Sequence, residues 1–160
     1  MLRAFGARQV RAARNGKLAI RSVLSRNPDI ILLDREIGEP SGLDVARFIR
    51  LASTSPDNFL PMIMVTSHAE QCQIVEARDA GINAVILKPF SPQTLYRHVL
   101  KVIAAPRQFV RTKNYFGPDR RSFTCVQYTG EERRKAATPR LPPSQKWDMF
   151  SLVEASKRGS

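Results

Sequence analysis

Three polar residues that could do chemistry together each stand at the end of an apolar run. Asp34 follows residues 30–33, Thr66 closes "LPMIMVT", and Lys88 closes "NAVILK". A carboxylate can act as a nucleophile and form an acyl phosphate. A hydroxyl and an ammonium group can donate hydrogen bonds to the phosphoryl oxygens that the carboxylate gains. These residue types therefore suit phosphoryl transfer onto Asp34.

Three continuous apolar runs predict the strands that carry these residues. Residues 29–34, 60–67 and 83–90 lack the polar alternation of a half-exposed strand, so each run is typical of a strand buried on both faces. Before, between and after them, apolar residues recur at helical spacing. The predicted helices cover residues 15–27, 41–52, 70–81 and 91–105.

Polar residues, glycine and proline mark the predicted helix ends. Asn15 and Ser91 are suited to N-cap positions, and Pro92 to the first helical position. Pro28 ends the first helix because the residue before a proline is pushed out of the helical region. Gly81 is a natural C-terminal stop for the third helix.

Strands alternating with helices predict βαβ units and a parallel sheet, hence an α/β fold. A weaker alternation at residues 8–13 predicts one further short strand. Right-handed crossovers place the loops after the strands at the carboxyl edge of the sheet, where ligands bind. Asp34, Thr66 and Lys88 should therefore converge there. For any one of them, a strand-end residue paired for solubility is the simpler interpretation, but three on successive strands favour a site.

Length and composition limit the class of protein. The chain has 160 residues, 42% of them hydrophobic, which suits one domain of ordinary size plus a tail. No apolar run approaches the roughly 18 residues of a membrane span, and the N-terminus lacks a secretory apolar segment. Cys72 and Cys125 have no metal-like spacing and are expected to be free thiols. These features predict a cytoplasmic protein without membrane contact.

The net charge of +12 is concentrated at the two ends of the chain. Residues 1–26 hold seven Lys or Arg and no acid, and residues 107–160 hold twelve bases and five acids. Residues 27–106 hold seven bases and nine acids. A basic excess draws a protein towards nucleic acid or anionic lipid, but here the compact middle is slightly acidic. The pattern indicates charged flanks rather than a DNA-reading domain.

The segments "PDIILLD", "MIMVTSHAE" and "EARDAGINAVILKPFSPQTL" together resemble the receiver domain of bacterial two-component response regulators. The resemblance extends over about residues 2–104. It implies a doubly wound, flavodoxin-like parallel α/β fold that a sensor histidine kinase or a phosphotransfer protein phosphorylates on an aspartate. By this likeness Asp34 is the phosphoacceptor, Thr66 and Lys88 bind the phosphoryl group, and the bond from Lys88 to Pro89 is cis.

The resemblance also implies a magnesium site, from which this sequence departs. Receiver domains begin with a strand that ends in two acids, which hold Mg²⁺ beside the acceptor, whereas no acid precedes Asp29 here. The remaining ligands would be Asp34 and the backbone carbonyl of Glu36. We expect Mg²⁺ to bind weakly or not at all if the chain truly starts at Met1. Either the chain starts at an internal methionine, which we favour, or it is a truncated, degenerate receiver.

We therefore divide the chain into a receiver domain at 1–105, incomplete at its N-terminus, and a basic, proline-containing, partly disordered tail at 106–160. Basic residues in the tail alternate with aromatic ones, a mix that could contact nucleic acid non-specifically. The simpler interpretation is that the turn at 114–121 packs against the last helix and the remainder is solvated.

Three functions stay open at this point. The first is a phosphoacceptor receiver that signals through a downstream protein partner, by the face that the last two helices and last strand form. The second is a receiver-like scaffold that is not phosphorylated, and the third a basic nucleic-acid-binding protein acting through its tails. No glycine-rich phosphate loop, HExxH or GxSxG motif is present, which disfavours an ordinary enzyme.

Overall fold

A parallel sheet of three strands, in the order β1-β2-β3, forms the centre of the computed structural model. The model describes residues 2–67, 70–122 and 140–141. A short 3-10 helix at Leu2–Phe5 precedes the first α-helix. The helices are α1 (Gly16–Arg26), α2 (Gly42–Leu51), α3 (Gln71–Asp79) and α4 (Pro92–Ala104), and the strands are β1 (Ile31–Asp34), β2 (Met62–Thr66), β3 (Ala84–Leu87), β4 (Phe109–Thr112), β5 (Tyr115–Pro118) and β6 (Arg140–Leu141).

Helices cover both faces of the parallel sheet, as the resemblance to receiver domains implied. Successive side chains of a strand point to opposite faces, and β2 shows this directly. Met62 and Met64 join a buried cluster with α1, α2 and α3, whereas Ile63 joins a second cluster with α4. Both faces of β2 are buried, which explains why its sequence shows no polar alternation.

The helix starts follow local hydrogen-bonding rules. The side chains of Asn15 and Ser91 accept hydrogen bonds from the main-chain N–H of Leu18 and Thr94, so both predicted N-caps form. Helix α2 has a reciprocal capping box, in which Ser41 and Asp44 each accept from the other's main-chain N–H. These caps fix where each helix leaves the sheet.

The prediction of a short strand at residues 8–13 is wrong. The segment is largely exposed and has no regular secondary structure. A lone strand leaves its main-chain groups unpaired, and β1 hydrogen-bonds only with β2 among the described strands. The weak alternation of this segment has no neighbouring strand to pair with.

The first part of the segment assigned above to the tail forms a β-hairpin. Strands β4 and β5 pair antiparallel, and β6 joins the other side of β4. The hairpin packs mainly against α2, whereas the sequence predicted the last helix. Phe59, from the loop before β2, contacts the rings of Phe109 and Phe116 at centroid distances of 4.9 and 5.1 Å. Hydrophobic contact with α2 and this loop holds the hairpin on the domain.

Two further sequence predictions concern the remaining segments. The disordered tail falls largely on residues 123–139 and 142–160, which lie outside the described residues, as does Cys125. Cys72 is a free and exposed thiol. Within the described part of the chain, no helix combines the length and the apolar character that crossing a membrane requires.

Candidate functional site

The register of the parallel sheet brings the three predicted site residues to one edge. Asp34, the last residue of β1, lies opposite Val65 of β2. Thr66, the last residue of β2, lies opposite Leu87 of β3, and the main-chain N–H of Lys88 donates to the carbonyl of Thr66 at 2.8 Å. All three therefore lie together at the carboxyl edge, as predicted.

Asp34 and Lys88 form a direct ion pair. The Lys88 Nζ donates to Asp34 Oδ2 at 2.5 Å, and the two side chains are 39% and 41% exposed. The other carboxylate oxygen, Oδ1, accepts a hydrogen bond from the main-chain N–H of Glu36 at 3.1 Å. Because the pair is open to solvent, an incoming group can reach the carboxylate.

These contacts keep the Asp34 carboxylate ionised. Partial burial raises the pKa of Asp34, but the hydrogen bonds from Lys88 and from the Glu36 N–H, with the charge of Lys88, outweigh it and leave the pKa below its ordinary value. At neutral pH the side chain is therefore a carboxylate, the form that a nucleophile requires.

Thr66 is the buried member of the three, with 4% exposure. Its backbone is fixed by pairing in β2 and by the hydrogen bond from Lys88. The peptide bond from Lys88 to Pro89 is cis, as the resemblance implied. The phosphate-binding roles of Thr66 and Lys88 stay predictions, since the geometry shows their placement and not their ligand.

The loop after Asp34 and the helix start that follows it contain two residues that the sequence analysis missed, Arg35 and Gly42. Gly42 lies so close to the main chain of Asp34 that a Cβ there would come within 2.2 Å of the Asp34 carbonyl oxygen. Its N–H also donates to the carbonyl of Arg35. Only glycine allows this approach, which folds the loop back onto the strand end. A glycine at a predicted helix start could have signalled such a contact.

Arg35, the second missed residue, ties this loop to α3. Its guanidinium contacts Glu76 Oε2 at 2.5 Å and the carbonyl of Gln73 at 3.4 Å. The Arg35 side chain is 18% exposed and thus largely enclosed. A single arginine after an acid has no sequence signature, because its partner lies 41 residues further along the chain.

The described residues do not by themselves form a magnesium site. Asp34 is the one carboxylate at the strand ends described above, and no group of three His, Cys, Asp or Glu side chains within the described part of the chain could hold a metal. Mg²⁺ requires near-octahedral oxygen coordination. One carboxylate and a main-chain carbonyl fall short of it, and Glu36 as a ligand stays a prediction.

Comparison with known families identifies the family of this chain. The family model described as "response regulator receiver domain" matches residues 1–100. The chain belongs to this family. Receiver domains are modules of two-component signalling, and the resemblance read from the strand-end motifs is therefore confirmed.

Curated relatives differ in how much of their length this chain spans. The chemotaxis protein CheY of Pseudomonas aeruginosa is 32% identical over 102 residues, which are 64% of this chain and 81% of CheY. The transcriptional regulatory protein ResD of Bacillus subtilis is 38% identical over 104 residues, which are 65% of this chain and 40% of ResD. The chain thus spans less than half of ResD.

Solved receiver structures share the fold. A putative response regulator from Chloroflexus aurantiacus matches with a TM-score of 0.59 and 27% identity, over 64% of this chain and 82% of that one. The receiver domain of the sensor histidine kinase PA1611 from Pseudomonas aeruginosa matches with a TM-score of 0.55 and 29% identity, over 62% and 80%. That structure holds a magnesium ion in its active-site cleft. The flavodoxin-like receiver fold is therefore confirmed.

Proposed function

We propose that this receiver domain accepts a phosphoryl group on Asp34 from a sensor histidine kinase or a phosphotransfer protein. The observation that carries the proposal is the contact of Lys88 Nζ with Asp34 Oδ2 at 2.5 Å. It places a cation against an ionised carboxylate at the carboxyl edge of a parallel sheet, the edge where such folds bind ligands. Thr66 ends the neighbouring strand at the same edge.

The chemistry assigns one role to each side chain. An oxygen of Asp34 attacks phosphorus while the bond from phosphorus to the donor's imidazole nitrogen breaks, and the electron pair of that bond stays on the nitrogen. The product is an acyl phosphate on Asp34. Lys88 then donates to a phosphoryl oxygen, and the Thr66 hydroxyl donates to another. No side chain of the chain is consumed apart from Asp34.

Signalling then follows through contacts with a downstream protein. The surface that α3, β3 and α4 form is the one that the family resemblance assigns to partners. Leu87 of β3 is 41% exposed on this chain. An exposed leucine beside the phosphoacceptor edge is suited to contact with a protein partner.

One observation favours a second candidate function, a scaffold that is not phosphorylated. Among the described residues, no group of carboxylates that could hold a metal ion includes Asp34. A receiver-like chain without metal assistance can still bind a partner, because partner binding needs only its folded surface.

Intact-mass measurement after incubation with acetyl phosphate and Mg²⁺ distinguishes the two functions. We expect the parent chain to gain the mass of one phosphoryl group and Asp34→Asn to gain none. The matched control is Asp29→Asn, which makes the same change at an exposed aspartate just before β1, away from the carboxyl edge. This control should be modified like the parent.

Circular dichroism of each variant establishes that the chain is folded. A folded parent chain that gains no phosphoryl group would contradict the phosphoacceptor proposal and leave the scaffold. An adduct that persists in Asp34→Asn would place the acceptor at another residue.

A further inference from the structure

The N-terminal segment carries seven basic side chains with no acid among them. We call this set the N-terminal basic strip. It consists of Arg3, Arg8, Arg11, Arg14, Lys17, Arg21 and Arg26. All seven residues are exposed in the structure. Their charges therefore face solvent or a ligand, and not the core.

No member of the strip has an acidic partner. Elsewhere in the described chain five basic side chains form an ion pair with a carboxylate, namely Arg35, Arg47, Arg78, Lys88 and Arg120. Within the residues that the structure describes, no member of the strip forms a salt bridge or a side-chain hydrogen bond. The fold thus pairs some of its cations with carboxylates and leaves this set uncompensated.

Helix stability accounts for Arg26, which lies in the last turn of α1 where the helix dipole favours a cation, but not for Lys17 and Arg21. Helix α1 has no acid in its first turn, and Lys17 lies there instead, where the helix dipole disfavours a positive charge. Lys17 and Arg21 are also four residues apart on the same side of α1, so that their charges repel. Because these positions cost stability, an anionic partner is the better explanation of the charges.

We propose that the N-terminal basic strip binds the phosphate backbone of duplex nucleic acid. Six of its seven members are arginines, whose planar guanidinium groups bind phosphate oxygens in pairs of parallel hydrogen bonds. Residues 7–13 have no regular secondary structure and residues 7–12 are exposed, so Arg8 and Arg11 are accessible to a phosphate backbone. This inference does not depend on phosphorylation of Asp34.

An anionic membrane fits the strip less well. A helix that lies in a membrane surface needs a continuous apolar face beside its basic one. The apolar face of α1, with Ala19 and Val23, is buried in the core of the domain. The exposed Leu18 and Leu24 are six residues apart and form no such face.

Binding of the full chain to a short random-sequence DNA duplex, followed by fluorescence anisotropy at several salt concentrations, tests the proposal. Seven phosphate contacts would lower the affinity about a thousandfold or more between about 50 and 200 mM salt. The strip variant Arg8→Gln, Arg11→Gln, Arg14→Gln should bind at least about tenfold more weakly at about 50 mM salt. Its slope of log affinity against log salt should fall by about 2 to 3.

The matched control neutralises three bases of the C-terminal tail. The variant Arg133→Gln, Arg134→Gln, Lys135→Gln removes the same charge from the same chain. It should keep the parent's affinity to within about twofold and keep its salt slope. Circular dichroism confirms that both variants are folded.

Three outcomes would overturn the proposal. Equal weakening in the strip and tail variants would mean that net charge alone drives binding, and weakening in the tail variant alone would move the site to the tail. Failure of the parent to bind the duplex would also overturn it. In that case vesicles of phosphatidylcholine with and without phosphatidylserine show whether the strip binds anionic lipid instead.

Discussion

At the scale of single residues, the Asp34–Lys88 pair combines a structural and a chemical role. The hydrogen bond from Lys88 and its charge lower the pKa of Asp34 against the opposing effect of partial burial. Asp34 thus keeps its negative charge in the folded chain at lower pH than it would in the unfolded chain. The pair stabilises the fold at neutral pH and presents an ionised nucleophile at the same atoms.

Replacing Lys88 should raise the pKa of Asp34. In Lys88→Gln the charge is lost while partial burial and the Glu36 N–H remain, so the remaining balance favours the protonated form more than in the parent. We expect the titration of the Asp34 carboxyl carbon, followed by NMR, to shift to higher pH. Lys101→Gln, an exposed change on α4, is the control and should leave the midpoint in place. An unchanged midpoint in Lys88→Gln would contradict the role of the pair.

The same shift sets the pH dependence of stability. A carboxyl whose folded pKa is depressed contributes stability above its unfolded pKa of about 3.9 and loses it as the pH falls through the folded pKa. The free energy of unfolding of the parent, measured with urea, should therefore decrease as the pH falls through this acidic range. In Lys88→Gln the decrease in the free energy of unfolding that Asp34 contributes over this range should be smaller.

At the scale of secondary structure elements, Arg50 joins α2 to the loops that lead into β2 and β3. Its guanidinium donates to the carbonyl oxygens of Gly81, Asn58 and Leu60 and to the side-chain oxygen of Asn83, at 2.7 to 3.0 Å. The residue is 2% exposed. One buried side chain thus satisfies main-chain oxygens from two separate loops, which the sheet hydrogen bonds leave unpaired.

Burial and packing constrain the surroundings of Arg50. Desolvation lowers the pKa of Arg50 to about 9, and electrostatic interaction with Tyr115 and Asp57 opposes the shift. The group therefore stays protonated at neutral pH. Gly81 has a positive φ of +84°, and a Cβ there would come within 2.9 Å of the Arg50 side chain. Glycine is therefore required at this helix end for both its backbone conformation and its small size.

Removing the Arg50 guanidinium should destabilise the domain severely. Arg50→Met keeps an apolar stem but leaves two buried carbonyl oxygens and one partly buried one without this donor, and each buried one costs about 1 to 3 kcal/mol. We expect the free energy of unfolding, measured with urea, to fall by about 3 kcal/mol or more. Arg47→Met, on the exposed side of the same helix, should change it by at most about 0.5 kcal/mol. Similar losses in both variants would contradict the role of Arg50.

At the scale of the whole molecule, the β4–β5 hairpin extends the receiver domain beyond the 100 residues that the family model matches. Phe109, Val110, Tyr115 and Phe116 are all buried. The guanidinium of Arg50 lies 5.0 Å from the centre of the Phe109 ring. The guanidinium of Arg107 also donates to the carbonyl of Asn83. The buried unit of this chain therefore includes residues of the segment assigned to the tail.

Shortening the chain tests where the folded domain ends. A chain ending at Ala105 loses four buried side chains, each of which contributes at most about 1.5 to 3 kcal/mol, and exposes Phe59 and Arg50. We expect it to unfold at a clearly lower urea concentration than the full chain. A chain ending at Ser122 keeps the hairpin and loses the two-residue strand β6, so it should unfold much closer to the full chain than the chain ending at Ala105 does. Equal urea midpoints for the two shortened chains would contradict this expectation and place the end of the folded domain at residue 105.

The amino-acid sequence by itself determined the elements whose signals are local. Continuous apolar runs predicted β1, β2 and β3, and cap residues such as Asn15 and Ser91 marked the helix starts. Alternation of these elements implied a parallel sheet, and a parallel sheet places Asp34, Thr66 and Lys88 at one edge. Each step depends on neighbouring residues or on a general rule of topology, so the placement of these three residues at one edge followed without coordinates.

Only the tertiary structure decided the features that depend on distant partners. The strand predicted at residues 8–13 did not form because no described strand lies beside it. The burial of Arg50, the tie from Arg35 to Glu76 and the docking of the hairpin on α2 all join residues far apart in the chain. Local patterns cannot signal them, because the residues next to an arginine or a phenylalanine do not show whether a distant loop supplies its partner.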